Sequence, residues 1–132
     1  MLKIPKDIRD EIITRARAGV PLEICGYLAG TADGKVKTHY PLTNTDASAE
    51  HFSFDPKEQF TAFKDASARG QRLIVCYHSH PVTPARPSAE DIKLAYDPTI
   101  SYVIISLAAA EPVIKSFKIK AGVVTNEEIG IT

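Results

Sequence analysis

The sequence predicts an α+β fold built on a mixed, mainly antiparallel sheet that is flanked by helices. Three segments have the apolar spacing or the boundary residues of helices, and several short apolar runs are typical of strands. These helices and strands follow one another without strict alternation, which favours an α+β fold over a regular α/β fold. The 132 residues fit one domain, 1–132, that can bury an apolar core without disulfide bonds.

The first predicted helix covers residues 5–18. Isoleucines recur every four residues from Ile4 onward, so that they share one face. Pro5 suits the first helical turn, and Gly19 follows the predicted end. These three features together predict a helix over residues 5–18.

Two strands joined by a tight turn are predicted next. Residues 24–31 are largely apolar, as in a buried strand, and Asp33-Gly34 is a hairpin turn signal before an alternating segment at 35–41. The polar residues 43–50 predict a loop, and residues 51–54 a short strand. The sheet is therefore expected to begin with an antiparallel pair.

The second half of the chain is predicted to alternate less regularly between helices and strands. Residues 57–68 carry Phe60 and Phe63 at helical spacing and are predicted to form a helix that ends before Gly70. Residues 73–77 are predicted to form a buried strand. Three prolines stiffen the loop at 81–87, and a third helix at 88–96 ends at Asp97-Pro98. Further strands are predicted at 101–107 and 113–119, with another supplied by 123–131.

Charge and cysteine content exclude several functional classes. Sixteen basic residues balance sixteen acidic ones, which disfavours nucleic acid or an anionic membrane as a partner. No apolar run reaches the roughly 18 residues that span a bilayer. The N-terminus becomes charged too early for a secretory signal, and only two cysteines are present, so we expect a reducing, cytoplasmic setting. The oligomeric state is left open.

The segment Tyr77-His78-Ser79-His80-Pro81 predicts a metal site. His78 and His80 are two residues apart at a strand end, so both imidazoles face one side of the sheet. Neutral imidazole suits zinc, but a catalytic zinc normally has three protein ligands and one open position. Asp91, across the proline-stiffened loop, is the candidate third ligand.

Each part of this pattern also has a purely structural interpretation. A His-x-His pair by itself is weak evidence for a metal. Ser88 and Asp91 have the spacing of a helix capping box, and that role is compatible with metal binding. Cys76 shares the strand face of His78, so it is either a further ligand or, more simply, a small buried hydrophobe. His39 and His51 are expected on the surface of strands and not as ligands.

Taken together, the string H-x-H-P-x6-S-x-x-D with Glu23 upstream resembles the JAMM (MPN-plus) zinc metalloproteases. The resemblance covers nearly the whole chain and is greatest to the compact bacterial members, although Val75-Cys76 departs from the residues that often precede this motif. It implies one Zn²⁺ per chain, held by His78, His80 and Asp91.

The same resemblance implies roles for two further residues. Glu23 is the expected general base, the alternative being a surface glutamate at the start of a strand. The Ser88 hydroxyl, or a nearby backbone N–H, is expected to stabilise the oxyanion. Ser88 is not expected to be a nucleophile, because both histidines of the motif are committed to zinc.

The implied reaction is hydrolysis of an amide or isopeptide bond after the C-terminal Gly-Gly of a small ubiquitin-like sulfur carrier protein. One alternative is a scaffold module, since some MPN domains have lost their metal ligands, but here the motif is unbroken. The other is a DNA-repair-associated protein with a similar core. Its extra N-terminal helical domain is not expected in this chain, and zero net charge does not favour DNA.

Overall fold

The computed structural model describes residues 1–132 and confirms the predicted α+β class. Its eight strands and three helices follow one another without strict alternation. No helix has the length and apolar character that a membrane crossing requires. In chain order the elements are β1 Leu2–Ile4, α1 Lys6–Gly19, β2 Cys25–Gly30, β3 Val36–Leu42, α2 Pro56–Ala68, β4 Arg72–His80, α3 Ala89–Lys93, β5 Ser101–Ser106, β6 Val113–Lys120, β7 Val123–Glu127 and β8 Ile129–Ile131.

The main sheet has six strands in the order β3-β2-β4-β5-β6-β7. All neighbours are antiparallel except β4 and β5, and the connection between these two carries α3. A parallel pair needs such a crossover, since a tight turn cannot join it. Strand β4 lies inside the sheet and is buried from Ile74 to His80, so its carboxyl end lies at the centre of the molecule.

Two apolar cores lie on opposite faces of the sheet. On one face α1 buries Ile8, Ile12 and Ala16, and this core includes Val103 and Ile105 of β5. Each buried aliphatic side chain of this size stabilises the fold by about 1.5–3 kcal/mol. A smaller core on the other face contains Ala85, Ile104, Phe117 and Ile119. Ile8 and Ile12, whose spacing predicted the helix, thus belong to the first of these cores.

Helix α2 packs against the sheet through small residues. Ala62 and Ala66 are its buried residues, whereas Phe60 and Phe63, whose spacing predicted the helix, are 61% and 58% exposed. Asp55 caps its N-terminus by accepting the Lys57 N–H at 2.9 Å. The helix was therefore predicted correctly from aromatic residues that do not form its core face.

Several predicted boundaries were wrong. Residues 51–54 do not form a strand; only Phe54 makes an isolated bridge, to Asn44. Helix α3 has five residues instead of the nine predicted for 88–96. The segment 123–131 divides into β7 and β8, and β8 pairs with the unpredicted β1 in a separate parallel sheet.

Candidate metal centre

Three potential metal ligands meet at the carboxyl end of β4. The Nε2 atoms of His78 and His80 lie 3.1 Å apart, and each is 3.2 Å from Oδ2 of Asp91. Both histidines are about 5% exposed, as expected for side chains at the end of an internal strand. Helix α3 brings Asp91 back to them across the proline-stiffened loop, so the structure brings the three predicted ligands together.

The spacing of these atoms fits a zinc ion. A tetrahedral ion with bonds of about 2.0–2.1 Å separates neighbouring ligand atoms by about 3.3 Å. The observed separations of 3.1–3.2 Å agree with that value on all three sides of the triangle. Two imidazoles and one carboxylate are also ligands that zinc accepts, and three protein ligands leave the fourth position open. The residues present therefore fit the metal.

Surrounding contacts fix the orientation of each ligand. His80 Nδ1 lies 2.9 Å from the Pro84 carbonyl, which holds the tautomer that leaves Nε2 free for a metal. Asp91 Oδ2 accepts the Ser88 N–H at 2.9 Å. The ring of Phe52 stacks on His78, with 4.7 Å between ring centroids. The ligand group is thus preorganised by the protein.

The charges of the three groups depend on one another. Burial lowers the pKa of His78 and so favours its neutral form. Burial raises the pKa of Asp91, but hydrogen bonds from His78 and His80 outweigh it and hold that pKa well below its usual range. For His80, burial is outweighed by its bonds to Asp91 and Pro84, and its pKa is raised. Metal binding here requires neutral imidazoles, so it would compete with protonation of His80.

Glu23 lies just before β2 and next to the ligands. It is only 4% exposed, so the alternative of a surface glutamate is wrong. Its neighbour Ile24 is anchored to β4, donating its N–H to Ser79 Oγ at 2.8 Å and accepting the Ser79 N–H at 3.0 Å. Oε1 of Glu23 is buried without a hydrogen-bond partner. Such an atom is expected where the carboxylate must be free to act on another molecule.

Burial raises the pKa of Glu23 from 4.5 to about 7, although nearby His80 opposes the shift. The folded chain therefore binds this proton more tightly than the unfolded chain does. The contribution of Glu23 to the free energy of unfolding is therefore fully present below pH 4.5 and is lost as the pH rises through about 7. A buried carboxylate without a partner thus destabilises the metal-free protein at neutral and higher pH.

We expect Glu23→Gln to stabilise the metal-free protein at pH 8 but not at pH 4. Glutamine stays neutral, and each pKa unit corresponds to about 1.4 kcal/mol, so the gain at pH 8 should be about 1–3 kcal/mol. Urea unfolding of both proteins in excess chelator at the two pH values measures it. An equal difference at pH 4 and pH 8 would show that the charge of Glu23 is not the cause.

Ser88 forms the predicted capping box with Asp91. Its Oγ accepts the Asp91 N–H at 3.0 Å, while its own N–H is taken by the Asp91 carboxylate. The backbone N–H of Ser88 is therefore already used and is not free to donate to an oxyanion. The hydroxyl hydrogen of Ser88 is still able to donate to a reacting group.

A groove of about 630 Å³ extends from the ligand group. His78 and Asp91 line one end, and residues of the sheet, of α2 and of the segment after α3 line the rest. Most of the side chains that line it are apolar, as in pockets that bind extended or apolar ligands. Among them are Tyr27, Phe52, Phe54, Phe63, Leu94, Tyr96, Tyr102 and Ile104.

The remaining candidate ligands lie outside the cluster. Cys76 is buried on β4, burial raises its pKa to about 12, and it does not join the ligand group. His51 is exposed in a loop and lies 2.8 Å from Asp46. His39 was expected on the surface, but its side chain is only 9% exposed. Its Nε2 lies 2.6 Å from the Tyr77 hydroxyl, which Arg15 of α1 also contacts.

Two residues beside the site, Phe52 and Asn44, were not predicted. Phe52 stacks on His78, and the Asn44 amide donates to the Glu23 carbonyl at 3.0 Å. Both lie in the segment between β3 and α2, far in sequence from the histidines. No local sequence pattern indicates these contacts, because they depend on how the loop packs against β2 and β4.

Comparison with known proteins gives consistent matches over most of the chain. A family model described as prokaryotic homologs of the JAB domain matches residues 5–120. A CysO-cysteine peptidase of Mycobacterium tuberculosis is 32% identical over 99% of this chain and 91% of its own length. A desampylase of Haloferax volcanii is 34% identical over 80% of both chains. A Desulfitobacterium hafniense protein, solved in solution, superposes with a TM-score of 0.91 at 50% identity, over 100% of this chain and 93% of its own.

Proposed function

Since this chain belongs to the prokaryotic homologues of the JAB domain, a compact JAMM (MPN-plus) family, we propose that it is a zinc-dependent hydrolase of amide or isopeptide bonds. The observation that carries the proposal is the triangle of ligand atoms from His78, His80 and Asp91, with sides of 3.1–3.2 Å. The name of the Mycobacterium tuberculosis relative, a CysO-cysteine peptidase, supports the same type of reaction.

His78, His80 and Asp91 would hold one zinc ion, which supplies Lewis acidity when bound: it makes water nucleophilic near neutral pH and polarises a carbonyl group. Glu23 takes a proton from water as the water oxygen adds to the carbonyl carbon. It then passes that proton to the amine as the C–N bond breaks. Its pKa of about 7 suits both transfers, because the carboxyl group gains and loses protons readily at that pH.

The Ser88 hydroxyl is the proposed donor to the carbonyl oxygen as negative charge develops there. It stands one position before α3, which also carries Asp91, so a rigid capping box places it beside the ligands. Its oxygen accepts the Asp91 N–H, and this bond orients the hydroxyl. Ser88 thus contributes to both the chemistry and the stability of the site.

Ser88→Ala should lower turnover less than loss of Glu23. Removing one oxyanion donor is expected to lower kcat by about 10²–10³-fold. Loss of the helix cap should cost about 1 kcal/mol of stability. Steady-state kinetics beside a thermal melt separates the two effects. The donor role would be excluded if the melt shifts as expected while kcat stays unchanged.

The proposed substrate is a small ubiquitin-like sulfur carrier with one residue appended to its C-terminal Gly-Gly. The family resemblance and the name CysO-cysteine peptidase support this class of substrate. The groove that begins at His78 and Asp91 would accommodate an extended tail. Phe52, stacked on His78, also lines this groove beside the ligands. A glycine at the cleaved position would fit there, since its backbone approaches neighbours most closely.

Mass spectrometry of a carrier that ends in Gly-Gly-X tests this function. The zinc-loaded protein should remove X, and a chelator should abolish the reaction. Changing the second glycine to alanine should slow cleavage strongly, because the proposed glycine site beside the ligands would not accommodate a methyl group. Equal cleavage of both tails would contradict the proposed selection for glycine. Failure to cleave any such carrier would contradict the proposed substrate class.

A further inference from the structure

The side chain of Asn44 lies at the centre of the loop 44–53, which connects β3 to α2. Its Nδ2 donates to the carbonyl oxygens of Glu23 and His51, each at 3.0 Å. Its Oδ1 accepts the N–H groups of Asp46 at 3.1 Å and Ser53 at 3.3 Å. Both hydrogens and both lone pairs of the amide are therefore used. Only glutamine has the same donors and acceptors, and its side chain is longer, so no other residue could make these four bonds in the same loop conformation.

These bonds attach the loop to the main chain of Glu23. The Glu23 carbonyl accepts from Asn44, and the Glu23 N–H donates to the Ser48 carbonyl at 2.9 Å. The loop thus binds Glu23 on both sides, and Ser79 binds the next residue to β4. The position of the Glu23 carboxyl group relative to β4 consequently depends on the shape of this loop.

Asn44 also determines where Phe52 lies. It holds the carbonyl of His51 and the N–H of Ser53, the residues on either side of Phe52. The ring of Phe52 then stacks on His78 at 4.7 Å. Ala47 in the same loop has a φ of 46°, a conformation that non-glycine residues rarely adopt. Contacts such as those of Asn44, and not local preference, therefore determine the loop shape.

We propose that Asn44 is a positioning residue, whose amide fixes both the main chain of Glu23 and the loop residues that flank Phe52. The inference rests on the proposed hydrolase function for its effect on rate. Asn44 contacts Glu23 and the loop but none of the three ligand side chains. A displacement of about 1 Å at a catalytic group costs up to about 100-fold in rate. Loss of the amide should therefore impair turnover more than metal binding.

Asn44→Asp tests the proposal with a change that preserves size and both acceptor bonds. It removes the two donor bonds and directs a carboxylate oxygen at two carbonyl oxygens. We expect kcat to fall about 10–100-fold, since a misplaced base stabilises the transition state less. KM should rise less than kcat falls, because Phe52 is only one of the residues that line the groove. Zinc content should stay at one per chain. Asn44→Ala, which adds no charge, should show the same changes of kcat and KM and the same zinc content. It replaces the aspartate variant in the test if that variant does not fold.

Thr45→Val is the matched control in the same loop. It removes the hydrogen bond from Thr45 Oγ1 to the Ser53 carbonyl, at 3.1 Å, but leaves every bond of Asn44 in place. Its kcat should stay within about twofold of the wild type, as a bond that merely stabilises the loop does not move the base. An equal loss of kcat in Thr45→Val and Asn44→Asp would overturn the proposal.

NMR of the zinc-loaded protein supplies a readout that needs no substrate. In Asn44→Asp the Glu23 amide should exchange at least about tenfold faster, and the NOE between Phe52 and His78 should weaken. Thr45→Val should change neither. Unchanged exchange and an unchanged NOE in Asn44→Asp would overturn the proposal even if the wild type cleaves no carrier. Inactivity of the wild type, with both NMR changes present, would contradict the proposed function and support the positioning by Asn44.

Discussion

Glu23→Gln is expected to lower kcat by about 10²–10⁴-fold, the contribution of a positioned general base. Glutamine has nearly the same size and stays in place, but it cannot accept a proton. The carboxyl group of Glu23 is buried, has one oxygen without a partner and has a pKa of about 7. No other carboxyl group in the chain combines these properties with a place beside the ligand cluster.

Glu50→Gln is the control for this variant. Glu50 is exposed and lies in the 44–53 loop, which contacts the main chain of Glu23. The substitution therefore makes the same chemical change at a residue that is not part of the ligand group. Its kcat should equal that of the wild type. Zinc content of Glu23→Gln should remain one per chain, as Glu23 is not a ligand in this account. Turnover near the wild-type level in Glu23→Gln would exclude the residue as the base.

His80→Ala and Asp91→Ala should each greatly reduce zinc binding. Each removes one corner of the triangle of ligand atoms and leaves only two protein ligands. Loss of an outer partner of a ligand typically costs about 10–100-fold in affinity, so loss of a ligand should exceed that range. Competition with a chromophoric chelator measures the affinity, and metal analysis after purification without chelator measures the occupancy.

His51→Ala provides the comparison for this pair of variants. His51 is a histidine near the site, but it pairs with Asp46 in the loop and not with the ligands. Its zinc affinity should therefore match that of the wild type. If His80→Ala and Asp91→Ala both retain full occupancy at wild-type affinity, the assignment of ligands is wrong.

Local sequence patterns predicted the helices and strands whose own residues carry a clear periodicity or a continuous apolar run. Helix α1 follows from its isoleucine spacing, and β2 and β4 follow from short apolar runs. Strand β1 and its pairing with β8 could not be predicted, because these three-residue segments meet across almost the whole length of the chain. The segment 51–54 has strand-like composition, but the side chain of Asn44 binds backbone groups that a strand partner would otherwise take.

The candidate site divides in the same way. The shared face of His78 and His80 follows from strand periodicity. Asp91 was predicted as a ligand from the whole motif, and the capping box with Ser88 forms as well. Glu23 was inferred from family resemblance, as no local pattern distinguishes a buried base from a surface glutamate. Asn44 and the burial of His39 depend on contacts between distant segments, among them the bond from His39 to Tyr77. Those contacts exist only in the folded chain.

The most direct test of the account is anomalous diffraction at the zinc absorption edge from crystals of the zinc-loaded protein. We expect a single strong peak per chain, at about 2.0–2.2 Å from His78 Nε2, His80 Nε2 and a carboxylate oxygen of Asp91. Its fourth position should face the groove and Glu23. A peak bound by other residues, or no peak in crystals grown with excess zinc, would show that these three side chains do not form the metal centre.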